Sequence, residues 1–121
     1  MPKSVLAVGL DPVFADLTKF PNLTPDLIRS FIDTQLDKLR RLGYEVTRCL
    51  VDAGQTAESE VARQLRSRRF DCVMIGAGLR DPERLLLFEK LLNLVHVMAP
   101  EAKLCFNTTP ADTVAAVQRW I

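Results

Sequence analysis

Asp71-Cys72-Val73-Met74-Ile75-Gly76-Ala77-Gly78-Leu79-Arg80-Asp81-Pro82-Glu83 changes period in the middle. After the opening Asp the residues through Ile75 are all apolar, the pattern of a strand covered on both faces. Two glycines break the run, and Asp81-Pro82-Glu83 then offers a capping side chain with Pro at the first helical position. From Pro82 to Met98 apolar residues recur at helical spacing. A doubly covered strand that feeds directly into a helix is the repeating unit of a parallel sheet with crossover connections.

The same unit recurs on either side. Val5 to Leu10, Glu45 to Val51, Asp71 to Ile75 and Lys103 to Asn107 read as strands alternating with helices, in the order βαβαβαβα. The first and third strands are nearly all apolar and belong at the centre of the sheet. The second carries Thr47 and Arg48 and the fourth Lys103, which suits edges. The expected fold is therefore α/β: a three-layer sandwich with a four-stranded parallel sheet of order 2-1-3-4 and helices on both faces. Right-handed crossovers then place the first helix opposite the second and third.

Thr24-Pro25-Asp26 and Thr109-Pro110-Ala111-Asp112 mark two further helix starts of the cap-then-proline kind. The first helix should run from Pro25 to about Leu42 and stop at Gly43. Its apolar stripe is Leu27, Ile28, Phe31, Ile32, Leu39 and Leu42, with Gln35 at the rim. The second helix, about Ala57 to Arg69, has a narrow seam of Val61, Ala62 and Leu65. Arg66, Arg68 and Arg69 lie at its negative dipole end, which accounts for them without a partner.

With 121 residues the chain has the length of one domain, read here as a single α/β unit over 1–121. Sixteen basic against fifteen acidic side chains leave a formal charge of +1, so no overall field gathers nucleic acid or an anionic membrane surface. The opening apolar run ends at Asp11, too short for a signal-peptide core or a membrane span, and points to a cytoplasmic protein. Cys49, Cys72 and Cys105 are odd in number and lack C-x-x-C spacing, so they read as reduced, buried thiols. His96 falls late in the third helix, away from any cysteine partner, and reads as a surface imidazole. Neither a metal nor a cofactor is expected.

Ligands of open parallel sheets bind beyond the carboxyl ends of the strands, where neighbouring connections diverge. Here that edge receives Asp11, Asp52, Gly76, Gly78, Arg80, Asn107 and Thr108, with Thr109 beside them. The glycines permit close backbone approach, and Arg80 is suited to a carboxylate or a single phosphate. The dinucleotide fingerprint is incomplete, because Asp81 stands where its third Gly belongs and Asp11-Pro12 follows the first strand. Asp26, Glu83 and Asp112 in the first helical turns disfavour a polyphosphate. A small polar or singly anionic ligand is the expectation. Asp11 and Asp52 end neighbouring strands and are the only acid/base candidates; no nucleophile elbow accompanies them, so no catalytic set is assigned. The connection from Asp11 to Leu23 is long for its place and holds Val13, Phe14, Leu17 and Phe20, so it reads either as a lid or as packing over the end of the sheet.

The third helix is apolar over an arc of about 180°, wider than the roughly 100° stripe that one-sided burial needs. Leu86, Leu87, Leu94, Val97 and Met98 are the expected contacts of a twofold homodimer, which gives the second functional reading: a non-catalytic interaction module using helix 82–98.

Val5-Leu6-Ala7-Val8-Gly9-Leu10-Asp11 and its alternating sequel resemble the flavodoxin-like and response-regulator receiver superfamily. The resemblance implies the architecture alone. Asp11 matches the acidic position after the first receiver strand, and Thr108 or Thr109 the hydroxyl position after the fourth. Gly76-Ala77-Gly78 occupies the place of the phosphoacceptor Asp, and the fifth strand with its Lys is missing. Cys72-Val73-Met74-Ile75-Gly76-Ala77-Gly78-Leu79-Arg80 and Phe106-Asn107-Thr108 are also similar to small bacterial single-domain proteins, a similarity that implies no activity.

Overall fold

A computed structural model describes residues 2–121. Strands β1 (Ser4–Leu10), β2 (Glu45–Val51), β3 (Cys72–Ile75) and β4 (Lys103–Cys105) form one sheet in the order β2-β1-β3-β4, with every pair parallel. Helices α1 (Pro25–Arg41), α2 (Ala57–Ser67), α3 (Leu85–Met98) and α4 (Thr113–Gln118) alternate with the strands. The fold is the α/β sandwich that the apolar centre and polar edges imply, and it is compatible with a flavodoxin-like architecture.

Strand periodicity divides the core into two layers. Leu6, Val8 and Leu10 of β1 join Val73 and Ile75 of β3 against Val61 and Leu65 of α2 and Leu91 and Val95 of α3. Val5 and Ala7 turn the other way and join Cys72, Met74 and Cys105 against Leu36 and Leu39 of α1 and Ala116 and Val117 of α4. The α1 side thus receives the smaller side chains of the central strand, a difference that shapes the site described below.

The amino ends of the strands are tied by Ser4 and Asp71. Ser4 is buried; its N–H donates to Asp71 Oδ2 at 2.8 Å, and its hydroxyl bonds the Arg69 carbonyl at 3.1 Å. These contacts satisfy polar groups that the apolar strand ends would otherwise strand in a dry interior.

Thr24 caps α1 through the Leu27 N–H, and Thr109 and Asp112 form a reciprocal capping box. Asp81 differs: its side chain makes no capping bond, and Pro82–Arg84 forms a 3-10 turn before α3 begins. Gly43 closes α1 with φ of 98°, as the helix stop requires. β4 ends at Cys105, two residues before the expected Asn107, because the Phe106 carbonyl accepts from Arg119 and Asn107 bonds side chains and loop backbone in place of a ladder partner. α2 ends at Ser67, where extended Arg68 stacks over Phe70 and pairs with Glu45 at 2.7 Å.

Along α1, Gln35 is buried instead of lying on the rim, and Leu36 beside it is also buried, because α4 packs against this part of the helix. Leu27, Phe31 and Leu42 are exposed. Among the described residues no helix is long and apolar enough to cross a membrane.

Candidate functional site

The small residues of β1 and β3 leave a gap on the α1 side of the sheet. Ala7 and Gly9 face it from β1, Met74 from β3 and Gly76 from just beyond that strand, and no large side chain fills the space at the carboxyl end. Ile28, Ile32 and Leu36, one helical turn apart, form the opposite wall. Pro12 and Ala15 close one end, and Asn107, Pro110 and Thr113 the other. The result is a cleft of about 140 Å³, lined mainly by carbon, at the strand ends where open parallel sheets hold ligands.

Three of the residues singled out from the sequence line this cleft: Gly76, Gly78 and Asn107. Gly78 lies against β1, where an added Cβ would sit 3.2 Å from the Leu10 Cβ, so the close approach needs the missing side chain. Asn107 is buried; its side-chain oxygen accepts from the Ala77 N–H at 3.1 Å and its amide donates to Thr113 Oγ1 at 3.2 Å. It pins the glycine turn to the start of α4 and, with Thr113, is one of the two neutral polar side chains among the lining residues.

The other four have structural partners of their own. Arg80 turns inward: its guanidinium donates to the carbonyls of Ile75 and Asn107 and stacks over Phe106, 5.3 Å from the ring centre. Burial lowers its pKa, opposed by the nearby Asp112 carboxylate. Asp11 accepts from the Val13 N–H at 3.1 Å, capping the short turn Pro12–Phe14, and pairs with Arg29 at 2.7 Å. The Val13 bond, with Arg29 adding to it, holds this carboxyl below its ordinary range against the opposing effect of burial. Thr108 donates its hydroxyl to Asp112 at 2.6 Å, and that bond is the main cause of the lowered Asp112 pKa.

Asp52 accepts from the Thr56 hydroxyl at 2.7 Å and from the N–H groups of Gly54 and Thr56, ordering the turn before α2. The Thr56 hydroxyl, then the backbone donors, hold its pKa below the ordinary value. A folded pKa lower than the unfolded one adds stability above the unfolded value, which is lost as pH falls through the folded one. Asp52→Asn is therefore expected to lower the thermal midpoint at pH 7, with a gap from wild type that closes as pH drops below the ordinary carboxylate range. A gap that stays constant down to strongly acid pH would show that the charge contributes nothing.

Each charged group at the cleft mouth is already neutralised. Arg48, the one cation in the lining, donates to both carboxylate oxygens of Asp33 at 2.8 and 3.0 Å. Arg29 joins Asp11 to Asp26, the latter also at 2.7 Å. Among the described residues no group of three or more His, Cys, Asp or Glu side chains converges as a metal site would. The three cysteines are free and buried; burial, with the Glu60 carboxylate, pushes Cys49 up to about 11, while Cys72 and Cys105 meet each other at 3.3 Å.

The walls contributed by Ala7, Gly9 and α1 are absent from the set read off the strand ends. Their signal lies in strand parity: Ala7, Gly9 and Gly76 all fall on one face, where three small side chains opposite a helix leave space.

The connection 11–23 contributes its root to the cleft through Pro12 and Ala15, while Val13, Phe14 and Phe20 are exposed. On α3, Leu87, Leu94 and Met98 pack partly against the core, whereas Leu86 and Val97 are 72% and 75% exposed. Lys90 and Asn93 occupy the helical surface between that exposed pair. No protein-family model and no curated protein matches the chain.

Proposed function

We infer that this protein binds a small molecule in the cleft between β1, β3 and α1 at the carboxyl ends of the strands. The observation that carries this reading is the gap itself: a carbon-lined space at the edge where parallel sheets hold ligands, with the buried Asn107 amide in its wall. The root of the 11–23 connection forms one wall, and its exposed Val13, Phe14 and Phe20 supply apolar surface for a lid that settles over the occupant. Three free buried thiols suit the reducing cytoplasm.

The reading is tested by a thermal-shift screen of small metabolites against wild type and Ala7→Leu, whose larger side chain occupies the floor of the cleft. A ligand present at 100 times its Kd stabilises by about 2.7 kcal/mol and raises the midpoint by several degrees. The expected result is hits that vanish in Ala7→Leu; hits that survive in the variant place binding elsewhere.

The exposure of Leu86 and Val97 favours a second reading, a homodimeric module. Its test is sedimentation equilibrium on wild type and Leu86→Glu. The module requires a dimer that the charge splits into folded monomers, and a monomeric wild type at every accessible concentration ends it.

A further inference from the structure

The cleft also carries information on the chemistry of its occupant, and the inference rests on the binding reading above. Its size sets the scale: 140 Å³ is close to the roughly 150 Å³ of an apolar cavity known to hold benzene. Its walls set the polarity. Ala7, Gly9, Ile28, Ile32, Leu36 and Met74 present carbon, so a charge placed among them would lose its hydration without gaining a partner. Nor do the arginines change this balance. Arg48 is held by Asp33, Arg29 by Asp11 and Asp26, and Arg80 by two carbonyls and the Phe106 ring.

Asn107 supplies the remaining term. A carboxamide has two N–H donors and two acceptor sites on its oxygen. One donor goes to Thr113 and one acceptor site to Ala77, which leaves one of each uncommitted on a residue that lines the cleft. A hydroxyl, which both gives and takes a hydrogen bond, complements that pair.

We propose that the cleft binds an uncharged molecule presenting an apolar group of about the size of a benzene ring and one hydroxyl-like hydrogen-bonding group, seated beside Asn107. Small neutral aryl or branched-alkyl alcohols have this form; carboxylates, phosphates and ammonium compounds of the same shape do not.

The test uses the full chain with isoleucine methyl groups labelled for NMR. Ile28 and Ile32 report on the cleft, and Ile75, buried on the opposite face, reports on the fold. The protein is titrated with benzyl alcohol, benzoate, benzylamine and inorganic phosphate. Benzyl alcohol is expected to shift the Ile28 and Ile32 signals saturably and to leave Ile75 in place, with benzoate and benzylamine at least tenfold weaker and phosphate without effect. Ala7→Leu should abolish both shifts and, independently, Ile32→Trp should abolish the shift of Ile28, the cleft reporter it retains, while the Ile75 signal keeps its native position. The second variant decides the matter if the first does not fold.

Saturable shifts at Ile28 and Ile32 with benzoate or benzylamine as tight as benzyl alcohol would overturn the neutral class and leave the binding reading standing. Shifts by none of the compounds at millimolar concentration would overturn the neutral class, and a wild-type chain that the metabolite screen also leaves unmoved would overturn the binding reading with it. Asn107→Leu separates the hydroxyl from the ring: toluene should bind that variant at least as well as wild type, and benzyl alcohol tenfold less well. Equal loss of both, with Ile75 unmoved, would remove Asn107 from the site.

Discussion

Arg80→Ala is expected to lower the stability of the folded chain by about 2–4 kcal/mol, because a hydrogen bond from a charged donor contributes about 1.5–3 kcal/mol and this side chain makes two. Those bonds join the carboxyl end of β3, through the Ile75 carbonyl, to the chain just after β4, through the Asn107 carbonyl. The strand they secure is only three residues long, so few ladder bonds compensate for their loss. The stacked guanidinium adds roughly 0.5–1 kcal/mol on the Phe106 face. Against these gains stands the desolvation that lowers the Arg80 pKa, which keeps the net figure below the sum of the contacts. Urea unfolding followed by circular dichroism measures the difference. Arg80→Lys should recover less than half of it, since an ammonium group lacks the planar fork that spans two carbonyls and stacks on a ring. A loss under about 0.5 kcal/mol for Arg80→Ala would mean that water replaces the guanidinium without penalty.

Leu36→Ala should cost about 2–5 kcal/mol, the range for removing a buried leucine whose surroundings collapse only in part. Leu36 is 1% exposed and stands between the α1 core layer and the inner end of the cleft. Its loss therefore does more than open an isolated void: the new space joins the cleft. The variant should accept a larger apolar ligand than wild type does, and saturation with that ligand should return part of the lost stability. Denaturation with and without the ligand reads both effects. Destabilisation without any change in ligand size would show that neighbouring side chains close the gap.

Architecture was legible because it depends on short-range pattern. The apolar runs Val5–Leu10 and Cys72–Ile75 demand cover on both faces, Thr47, Arg48 and Lys103 mark the edges, and Thr24-Pro25 and Thr109-Pro110 announce helices. The strand order follows from those facts together with the handedness of crossovers. Of the candidate cleft, the strand ends it adjoins were legible, and the directions of the side chains there were not. Arg80 stands at the strand ends, as its position in the sequence requires, but its direction depends on two carbonyls and an aromatic ring from distant parts of the chain. Asp11 and Asp52 satisfy N–H donors only two to four residues away, so their place beside short turns says more about them than their place at strand ends. Gln35 and Leu36 are buried by α4, a six-residue helix some 80 positions later that no local window on α1 contains. Leu27 and Phe31 are exposed, and the row of α1 that faces the cleft is Ile28, Ile32 and Leu36, one position along the helix.

The tie between Ser4 and Asp71 has a consequence for synthesis. β1 is made first, and β2 pairs with one of its edges; the other edge waits for β3, whose last residue is Ile75. At roughly 5–20 residues per second, the 24 residues between Val51 and Ile75 keep that edge open for on the order of one to five seconds. A nascent chain in this interval holds two strands, α1 and, once Ser67 is made, α2, and shows unpaired N–H and C=O groups along an apolar strand. Pairing of β1 with β3, sealed by the Ser4–Asp71 contacts, ends the exposure, so the open edge of the central strand is a hazard of synthesis that the folded sheet no longer carries.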